Sequence, residues 1–191
     1  MSTNLEIEVK SILTSDEYNK LITFFGLDKS YFQINYYLDT NDLKIYSQKC
    51  GLRIRQKGED FELTLKVPAD EGKTEINQQI SDKMFENLAI RNVFPKGEIE
   101  NYLSQKMGIK IENIHILGNL NTVRLDIEYK TAFISIDKSI YNSITDYEVE
   151  AEDISLEKAN EHLLEFLTIY DIKYKKSQLG KLDRFLKTLK N

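Results

Sequence analysis

Apolar and polar residues alternate along much of the chain with a period of two. This alternation predicts eight β-strands, most of them antiparallel because short connections join them. The predicted strands are Leu5–Lys10, Ile34–Asp39, Gly51–Gln56, Phe61–Val67, Thr74–Ile80, Thr122–Lys130, Thr131–Lys138 and Asp146–Glu152.

Apolar residues spaced three and four apart predict five helices between and after these strands. The first helix begins after Thr14, which forms a capping box with Glu17, and it ends at Gly26. The other helices are predicted over about Ser81–Phe94, Pro95–Met107, Ser155–Tyr170 and Gln178–Leu189.

The polar faces of several predicted strands are unusually rich in charge. Arg53 and Arg55, for example, lie opposite Leu52 and Ile54. A solvated sheet face would explain any one such strand. The helices, however, need the apolar strand faces, so the charged faces must point away from them. We therefore expect an α+β protein in which an eight-stranded antiparallel β-barrel carries helices on its outside and charge within, since eight strands can just enclose a ligand.

Composition limits the classes of protein and of site. The chain has 191 residues and 41% hydrophobic residues, which suits a single domain over 1–191 with a real core. The one cysteine, Cys50, excludes an intramolecular disulfide framework and a multi-cysteine metal site. The two histidines, His115 and His162, also argue against a histidine-rich zinc centre.

Charge and hydropathy bear on location and partners. No apolar run reaches the roughly 18–20 residues that cross a bilayer, and the acidic N-terminus is unlike a signal peptide, so we expect a cytoplasmic protein without a membrane partner. The net charge of −5 argues against nonspecific binding to nucleic acid. We expect a small-molecule partner and either a monomer or a homodimer.

Carboxylates and cations occupy different predicted strands. Glu6, Glu8, Glu148 and Glu150 would repel one another if their strands were neighbours. A hard divalent cation with oxygen ligands, Mg²⁺ or Mn²⁺, would relieve this repulsion. The cations suit a polyanion such as a triphosphate, which carries about four negative charges. These cations are Lys10, Arg53, Arg55, Lys66 and Arg124.

Several short motifs, in order along nearly the whole chain, resemble those of the CYTH superfamily, also called the triphosphate tunnel metalloenzymes. Glu6–Lys10 matches its ExExK signature, and Tyr36–Thr40, Leu52–Arg55 and Leu63–Lys66 resemble later strands. Further matches are Arg124, Asp137, the pair Glu148 and Glu150, and Lys181. Asp126 remains an alternative to Asp137, and Lys175 and Lys176 remain alternatives to Lys181.

The resemblance implies a hydrophilic tunnel that binds a triphosphate with a divalent metal, Mg²⁺ or Mn²⁺. It also implies a role for each matching residue. The implied metal ligands are Glu6, Glu8, Asp137, Glu148 and Glu150. The implied triphosphate-binding residues are Lys10, Arg53, Arg55, Lys66, Arg124 and Lys181. Glu6, Glu8, Lys10, Glu148 and Glu150 form the implied catalytic set.

The function that follows from the resemblance is a metal-dependent triphosphatase acting on inorganic triphosphate, thiamine triphosphate or a nucleoside triphosphate. Two alternatives stay open. One is an adenylate cyclase of the class IV type, which makes cyclic AMP and pyrophosphate from ATP. The other is a polyphosphate- or nucleotide-binding module without catalysis.

Overall fold

The computed structural model describes residues 2–189, which fall into two compact units. The first unit comprises residues 2–5 and 33–120, and the second comprises residues 6–32 and 121–189. The strands are β1 Ser2–Glu6, β2 Glu8–Leu13, β3 Tyr31–Asp39, β4 Gly51–Lys57, β5 Asp60–Pro68, β6 Lys73–Ile80, β7 His115–Tyr129, β8 Ala132–Tyr141 and β9 Ile144–Glu152. The α-helices are α1 Ser15–Phe25, α2 Lys44–Ser47, α3 Asp82–Arg91, α4 Glu98–Asn101, α5 Leu156–Ile169 and α6 Lys181–Thr188.

The α+β class with antiparallel strands is confirmed, but residues 2–189 form nine strands where the alternation predicts eight. The predicted strand Leu5–Lys10 is divided at Ile7, which is buried and lies outside both β1 and β2. The two halves have different partners, since β1 lies beside β6 and β2 beside β9. Alternation alone carries no information on partners, so it merges the two strands.

In the first unit the strand order is β1-β6-β5-β4-β3, followed by residues 115–120 of β7. Leu52, Ile54, Leu63 and Leu65 face one side of this sheet and are almost fully buried. Helical residues such as Leu88 join the same core. The helices therefore cover the apolar face, as the sequence predicts.

In the second unit the order is β7-β8-β9-β2, with residues 121–129 of β7 contributing the first strand. Ile134, Ile136 and Val149 pack in one core with Leu21 of α1 and Phe166 of α5. The charged residues of β2, β7, β8 and β9 alternate with this core, so they lie on the opposite face of the sheet.

The predicted helices form, with one exception in shape. α1 has Thr14 as its N-cap with the capping box to Glu17, as predicted. The predicted helix over Pro95–Met107 instead begins after Gly97 and continues from Asn101 into a π-helical turn over Tyr102–Lys106. Gly97 adopts φ 151°, and a Cβ there would lie 2.2 Å from Gln78 Oε1. This close approach explains why a glycine stands at the start of the helix.

The described residues contain one short α-helix, α2, beyond the predicted ones. The short helix α2 is not predicted from the apolar spacing. It begins beside Asp39, whose carboxylate accepts hydrogen bonds from the backbone N–H groups of Thr40, Ile45 and Tyr46. Within residues 2–189, each helix is too short or too polar to span a membrane.

Candidate metal and phosphate site

The pairing register of the second unit aligns polar residues in rows across the strands. One row places Lys10 opposite Glu150, and Glu150 opposite Ser135. The next row places Glu148 opposite Asp137, and Asp137 opposite Arg124. Residues directly opposite in an antiparallel pair share a face, so β2, β7, β8 and β9 bring these side chains together.

Three carboxylates gather where these rows meet. Asp137, Glu148 and Glu150 are buried, and each offers an oxygen within 4.8 Å of the others. The Lys181 ammonium contacts all three, with Nζ 2.7 Å from Asp137 Oδ2 and 2.9 Å from Glu150 Oε1, and with Glu148 Oε1 as its third partner. The first residue of α6 thus places a cation among three acids from β8 and β9.

Two other cations border this cluster. The Arg124 guanidinium donates to Asp137 from Nε at 2.7 Å and to Glu150 from Nη2 at 2.8 Å. The Lys10 ammonium bridges Glu8 Oε1 at 2.7 Å and Glu150 Oε1 at 2.9 Å. Glu150 is therefore held by three cations at once, which are Lys10, Arg124 and Lys181.

These contacts determine the charge states within the cluster. Burial alone would raise the pKa of Glu150, but Lys10, Lys181 and Arg124 outweigh it and hold the pKa well below the usual range. Asp137 behaves in the same way, because Arg124 and Lys181 overcome its burial and lower its pKa. Burial would lower the pKa of Lys181, yet Asp137, Glu148 and Glu150 raise it. Asp137, Glu150 and Lys181 are therefore charged at neutral pH.

Arg184 fixes the outer side of the cluster. Its Nη2 donates to Glu148 Oε2 at 2.7 Å, and its Nε donates to Asp146 Oδ2 at 2.8 Å. Its Nη1 donates to the Leu179 carbonyl at 2.8 Å. The Tyr141 hydroxyl donates to the same oxygen of Asp146. Arg184 thus connects α6 to two acids of β9.

The first unit contains a smaller charged group on the polar face of β4, β5 and β6. Glu75 Oε1 lies 2.8 Å from Lys66 Nζ and 3.5 Å from Arg53 Nη2. Burial would raise the pKa of Glu75, but Lys66 and Arg53 lower it to about 2. Arg55, in the next row, donates from Nε to Asn35 Oδ1 at 3.4 Å. Glu75 is thus the internal counter-ion of two predicted phosphate-binding residues.

A row of polar atoms in the first unit has no internal hydrogen-bond partner. Arg53 lies opposite Thr64, which lies opposite Asn77. Among the described residues, Arg53 Nε, Thr64 Oγ1 and Asn77 Oδ1 are buried and accept or donate no hydrogen bond. Three orphaned atoms in one row indicate that this face is shaped to hold water or a polar ligand.

A cleft of about 330 Å³ opens in the second unit beside Lys10. Val9, Leu156 and Tyr174 supply apolar surface, while Asn160 and Gln178 supply amide groups. The volume is within the range of small-molecule sites. Glu8 and Lys10, which line the cleft, also belong to the charged face of β2.

The structure brings most of the predicted metal-site residues of the second unit into one cluster. Asp137, Glu148 and Glu150 form the three-carboxylate group, whereas the alternative Asp126 instead accepts hydrogen bonds from Ser135 and Tyr31. Glu8 is joined to the cluster through Lys10, and Glu6 is the last residue of β1. Neither belongs to the three-carboxylate group, and metal ligation by all five predicted residues stays a prediction.

The predicted cations divide between the two units. Lys10, Arg124 and Lys181 contact the three-carboxylate cluster, whereas Arg53, Arg55 and Lys66 belong to the first unit. Of the alternatives to Lys181, Lys175 pairs with Glu17 of α1, and Lys176 lines the cleft. Phosphate binding by each predicted cation stays a prediction.

Arg184, Asp146 and Tyr141 contact the site but are not among the residues that the sequence motifs predict. The sequence does carry a signal for Arg184, because it follows Lys181 by three residues in a helix and so shares its face. Asp146 likewise precedes Glu148 by two residues on β9 and shares its face. No spacing rule joins Tyr141 to this group, since its contact depends on the turn between β8 and β9.

Comparison with known proteins identifies the family. The model of the CYTH domain matches residues 4–184. The chain belongs to the CYTH family. This match includes residues of both compact units, and the single domain over 1–191 stays a prediction.

Relatives of this CYTH protein carry two kinds of name. This chain is 36% identical over 154 residues to the "Putative triphosphatase YjbK" of Bacillus subtilis (strain 168). The match covers 80% of this chain and 79% of that protein. A Bacillus halodurans structure described as a "putative adenylate cyclase" is 32% identical, with a TM-score of 0.89 over 97% of this chain and 99% of that chain.

A more distant structure shows the fold alone. It is HpAC1 from Hippeastrum, described as a "putative adenylyl cyclase" with a dominant triphosphatase activity. HpAC1 is 22% identical, with a TM-score of 0.81 over 96% of each chain.

Proposed function

We propose that this CYTH protein is a metal-dependent triphosphatase that hydrolyses the terminal phosphoanhydride bond of a triphosphate. The observation that carries the proposal is the cluster of Asp137, Glu148 and Glu150. Its carboxylates are contacted by the side chains of Lys10, Arg124, Lys181 and Arg184. Carboxylates suited to a hard metal stand beside cations suited to phosphate, as phosphoryl transfer requires. The name of the Bacillus subtilis relative supports the same activity.

The three-carboxylate group fits a hard divalent cation. Its donors are all oxygen, and it already surrounds one cation, the Lys181 ammonium. Asp137, Glu148 and Glu150 would hold Mg²⁺ or Mn²⁺, which prefer such donors. Glu6 and Glu8 are proposed as further ligands on the resemblance of their motif. The bound metal would polarise phosphoryl oxygens and lower the pKa of a bound water.

Lys181 is proposed to change partners during the cycle. Its ammonium and a divalent cation compete for the same three carboxylates, so Lys181 has to move aside when the metal binds. The released ammonium then becomes available to phosphate oxygens. Lys10 and Arg124 would keep their contacts to Glu150 and offer their remaining N–H groups to phosphate oxygens, since Nε and Nη2 of Arg124 already donate to Asp137 and Glu150.

The first unit contributes a second set of phosphate-binding residues in this proposal. Arg53 and Lys66 share one counter-ion, Glu75, so together they retain a net positive charge. Arg55 adds a further guanidinium on the same strand face. Phosphate binding by Arg53, Arg55 and Lys66 is proposed from the resemblance of their motifs and from the match of their charge to phosphate oxygens. In-line attack of water would yield orthophosphate and a diphosphate.

An adenylate cyclase is the second candidate, supported by the description of the Bacillus halodurans structure and by the cleft beside Lys10. In that reaction the ribose 3′-hydroxyl attacks the α-phosphorus in place of water. The cleft is large enough for the organic group of a nucleotide. Inorganic triphosphate has no organic group that would occupy it. A binding module without catalysis would retain the cations and turn over nothing.

The decisive experiment is a panel of inorganic triphosphate, thiamine triphosphate and ATP with Mg²⁺ or Mn²⁺. Orthophosphate, pyrophosphate and cyclic AMP are each measured. We expect inorganic triphosphate to yield orthophosphate and pyrophosphate, with little cyclic AMP from ATP and no turnover in EDTA. Cyclic AMP formed in proportion to pyrophosphate, with inorganic triphosphate left intact, would instead identify a cyclase. Full activity in EDTA would refute the metal requirement.

A further inference from the structure

Arg184 is an unusually well-connected side chain outside the predicted catalytic set. Each nitrogen of its guanidinium donates a hydrogen bond, to Asp146, Glu148 and the Leu179 carbonyl. Only 13% of its side chain is exposed. A planar group held at three positions has one orientation, so the carboxylates that it contacts are held as well.

The contact with Glu148 separates the two oxygens of that carboxylate. Oε2 accepts from Arg184 Nη2 at 2.7 Å, while Oε1 contacts Lys181 among the three carboxylates. The Glu148 side chain is 1% exposed, so no solvent competes for either oxygen. One oxygen is therefore committed to Arg184, and one is available to a cation that replaces the Lys181 ammonium.

A second acid keeps Arg184 in this position. Asp146 Oδ2 accepts from Arg184 Nε and also from the Tyr141 hydroxyl. Burial and the neighbouring Asp146 raise the pKa of Tyr141 to about 12, so the hydroxyl keeps its proton and remains a donor at neutral pH. The sequence of contacts runs from Tyr141 through Asp146 and Arg184 to Glu148.

We propose that Arg184 is a positioning residue that limits Glu148 to a single oxygen toward the metal and thereby favours Mg²⁺ and Mn²⁺ over Ca²⁺. Mg²⁺ requires octahedral geometry with short bonds, whereas Ca²⁺ takes six to eight ligands and readily accepts both oxygens of one carboxylate. With Oε2 engaged by Arg184, Glu148 offers the arrangement that suits the smaller ion. This inference rests on the metal site of the proposed function.

The test is calorimetric titration of the metal-free protein with MgCl₂, MnCl₂ and CaCl₂, in the absence of substrate. The measured quantity is the ratio of the Ca²⁺ and Mg²⁺ dissociation constants. Partners of metal ligands typically change affinity by about 10- to 100-fold. We expect Arg184→Gln to weaken Mg²⁺ binding within that range and to reduce the ratio about 10-fold. Arg184→Lys should be intermediate, because an ammonium keeps the positive charge but lacks the planar guanidinium whose three nitrogens fix one orientation.

Two further variants separate positioning from folding. Tyr141→Phe removes one hydroxyl from the far end of the contacts and should change the ratio in the same direction by a smaller factor. It also keeps the test available if the Arg184 variants fail to fold. Arg91→Gln, an exposed arginine of α3, is the matched control and should leave the ratio unchanged.

The Mg²⁺ and Ca²⁺ affinities of these variants either support the positioning role of Arg184 or overturn it. Equal changes in Mg²⁺ and Ca²⁺ affinity would mean that Arg184 only anchors α6, and would overturn the positioning role. An unchanged ratio in Arg184→Gln and Tyr141→Phe would overturn it as well. Metal binding with the expected ratios but no hydrolysis of any triphosphate would refute the proposed function alone. A wild-type protein that binds none of the three ions would refute both.

Discussion

Replacing Lys181 with Met tests the central feature of the site, a cation among three buried acids. Met has a similar length but no charge, so Asp137, Glu148 and Glu150 lose the ammonium that they share. Removing one partner of a buried ion pair costs about 3–5 kcal/mol, because an uncompensated charge remains. Asp137 and Glu148 are 0% and 1% exposed, so solvent gives them little relief. A protein of this size loses about 2–4 °C per kcal/mol, which predicts a decrease of roughly 6–20 °C.

Added metal should reverse this loss. A ligand that binds only the folded state stabilises it by about 2.7 kcal/mol at a hundredfold excess over its dissociation constant. In the wild type, Mg²⁺ must compete with the Lys181 ammonium for the three carboxylates, whereas in Lys181→Met that competitor is absent. We therefore expect Mg²⁺ to raise the unfolding temperature of the variant by more than that of the wild type.

The assay is thermal unfolding followed by circular dichroism near neutral pH, in EDTA and in MgCl₂. Lys175→Met is the matched control, since Lys175 pairs with Glu17 through side chains that are 39% and 21% exposed. An exposed pair of this kind contributes at most about 1 kcal/mol. The reasoning fails if Lys181→Met in EDTA is as stable as the control, or if Mg²⁺ shifts both proteins equally.

Three further predictions address the other charged groups. Glu150→Gln should reduce Mg²⁺-dependent hydrolysis of inorganic triphosphate by roughly 100-fold, and retained activity would contradict its role. Arg53→Ala should lower kcat/KM by roughly 30- to 1000-fold through loss of a charge-assisted contact, with Arg91→Ala as the unaffected control. Because Glu75 has a pKa of about 2 in the folded protein and 4.5 ordinarily, it stabilises above pH 4.5 and loses this effect as pH falls toward 2. Glu75→Gln should remove up to ~3 kcal/mol of the change in unfolding free energy between pH 4.5 and 2. The same pH dependence of the unfolding free energy in wild type and variant would contradict the pairing of Glu75 with Lys66 and Arg53.

Most of the fold could be predicted because alternation and helical spacing are local signals. The capping box at Thr14 and the apolar stripe of α1 needed only neighbouring residues. The division of the first strand at Ile7 could not be predicted in this way, since it depends on which strands pair with β1 and β2. The π-helical turn after Asn101 depends on packing and leaves no periodic signal in the sequence.

The candidate site was predictable in its residue types but not in its pairing. The sequence places Glu148 and Glu150 on one face of a strand, and the resemblance adds Asp137. From these residues alone, four glutamates that repel one another are expected, and removing one should relieve strain. The structure instead surrounds Glu150 with Lys10, Arg124 and Lys181. Glu150→Gln is therefore expected to lower stability in the absence of metal, because each of the three cations loses one of its charged partners.

The two cations of α6, Lys181 and Arg184, are held in different ways. Lys181 and Arg184 lie three residues apart on α6, yet only Lys181 contacts all three carboxylates. Arg184 is fixed by Asp146 and the Leu179 carbonyl as well as by Glu148, so it remains in place when the ions around it change. Lys181 has one ammonium on a flexible stem, and that ammonium contacts the same three acids that a metal would bind. Lys181, the movable cation, and Arg184, the fixed one, therefore differ in the geometry of their side chains. In the double variant Lys181→Arg and Arg184→Lys, we expect the cation at 181 to lose its mobility and the cation at 184 to lose its fixed orientation.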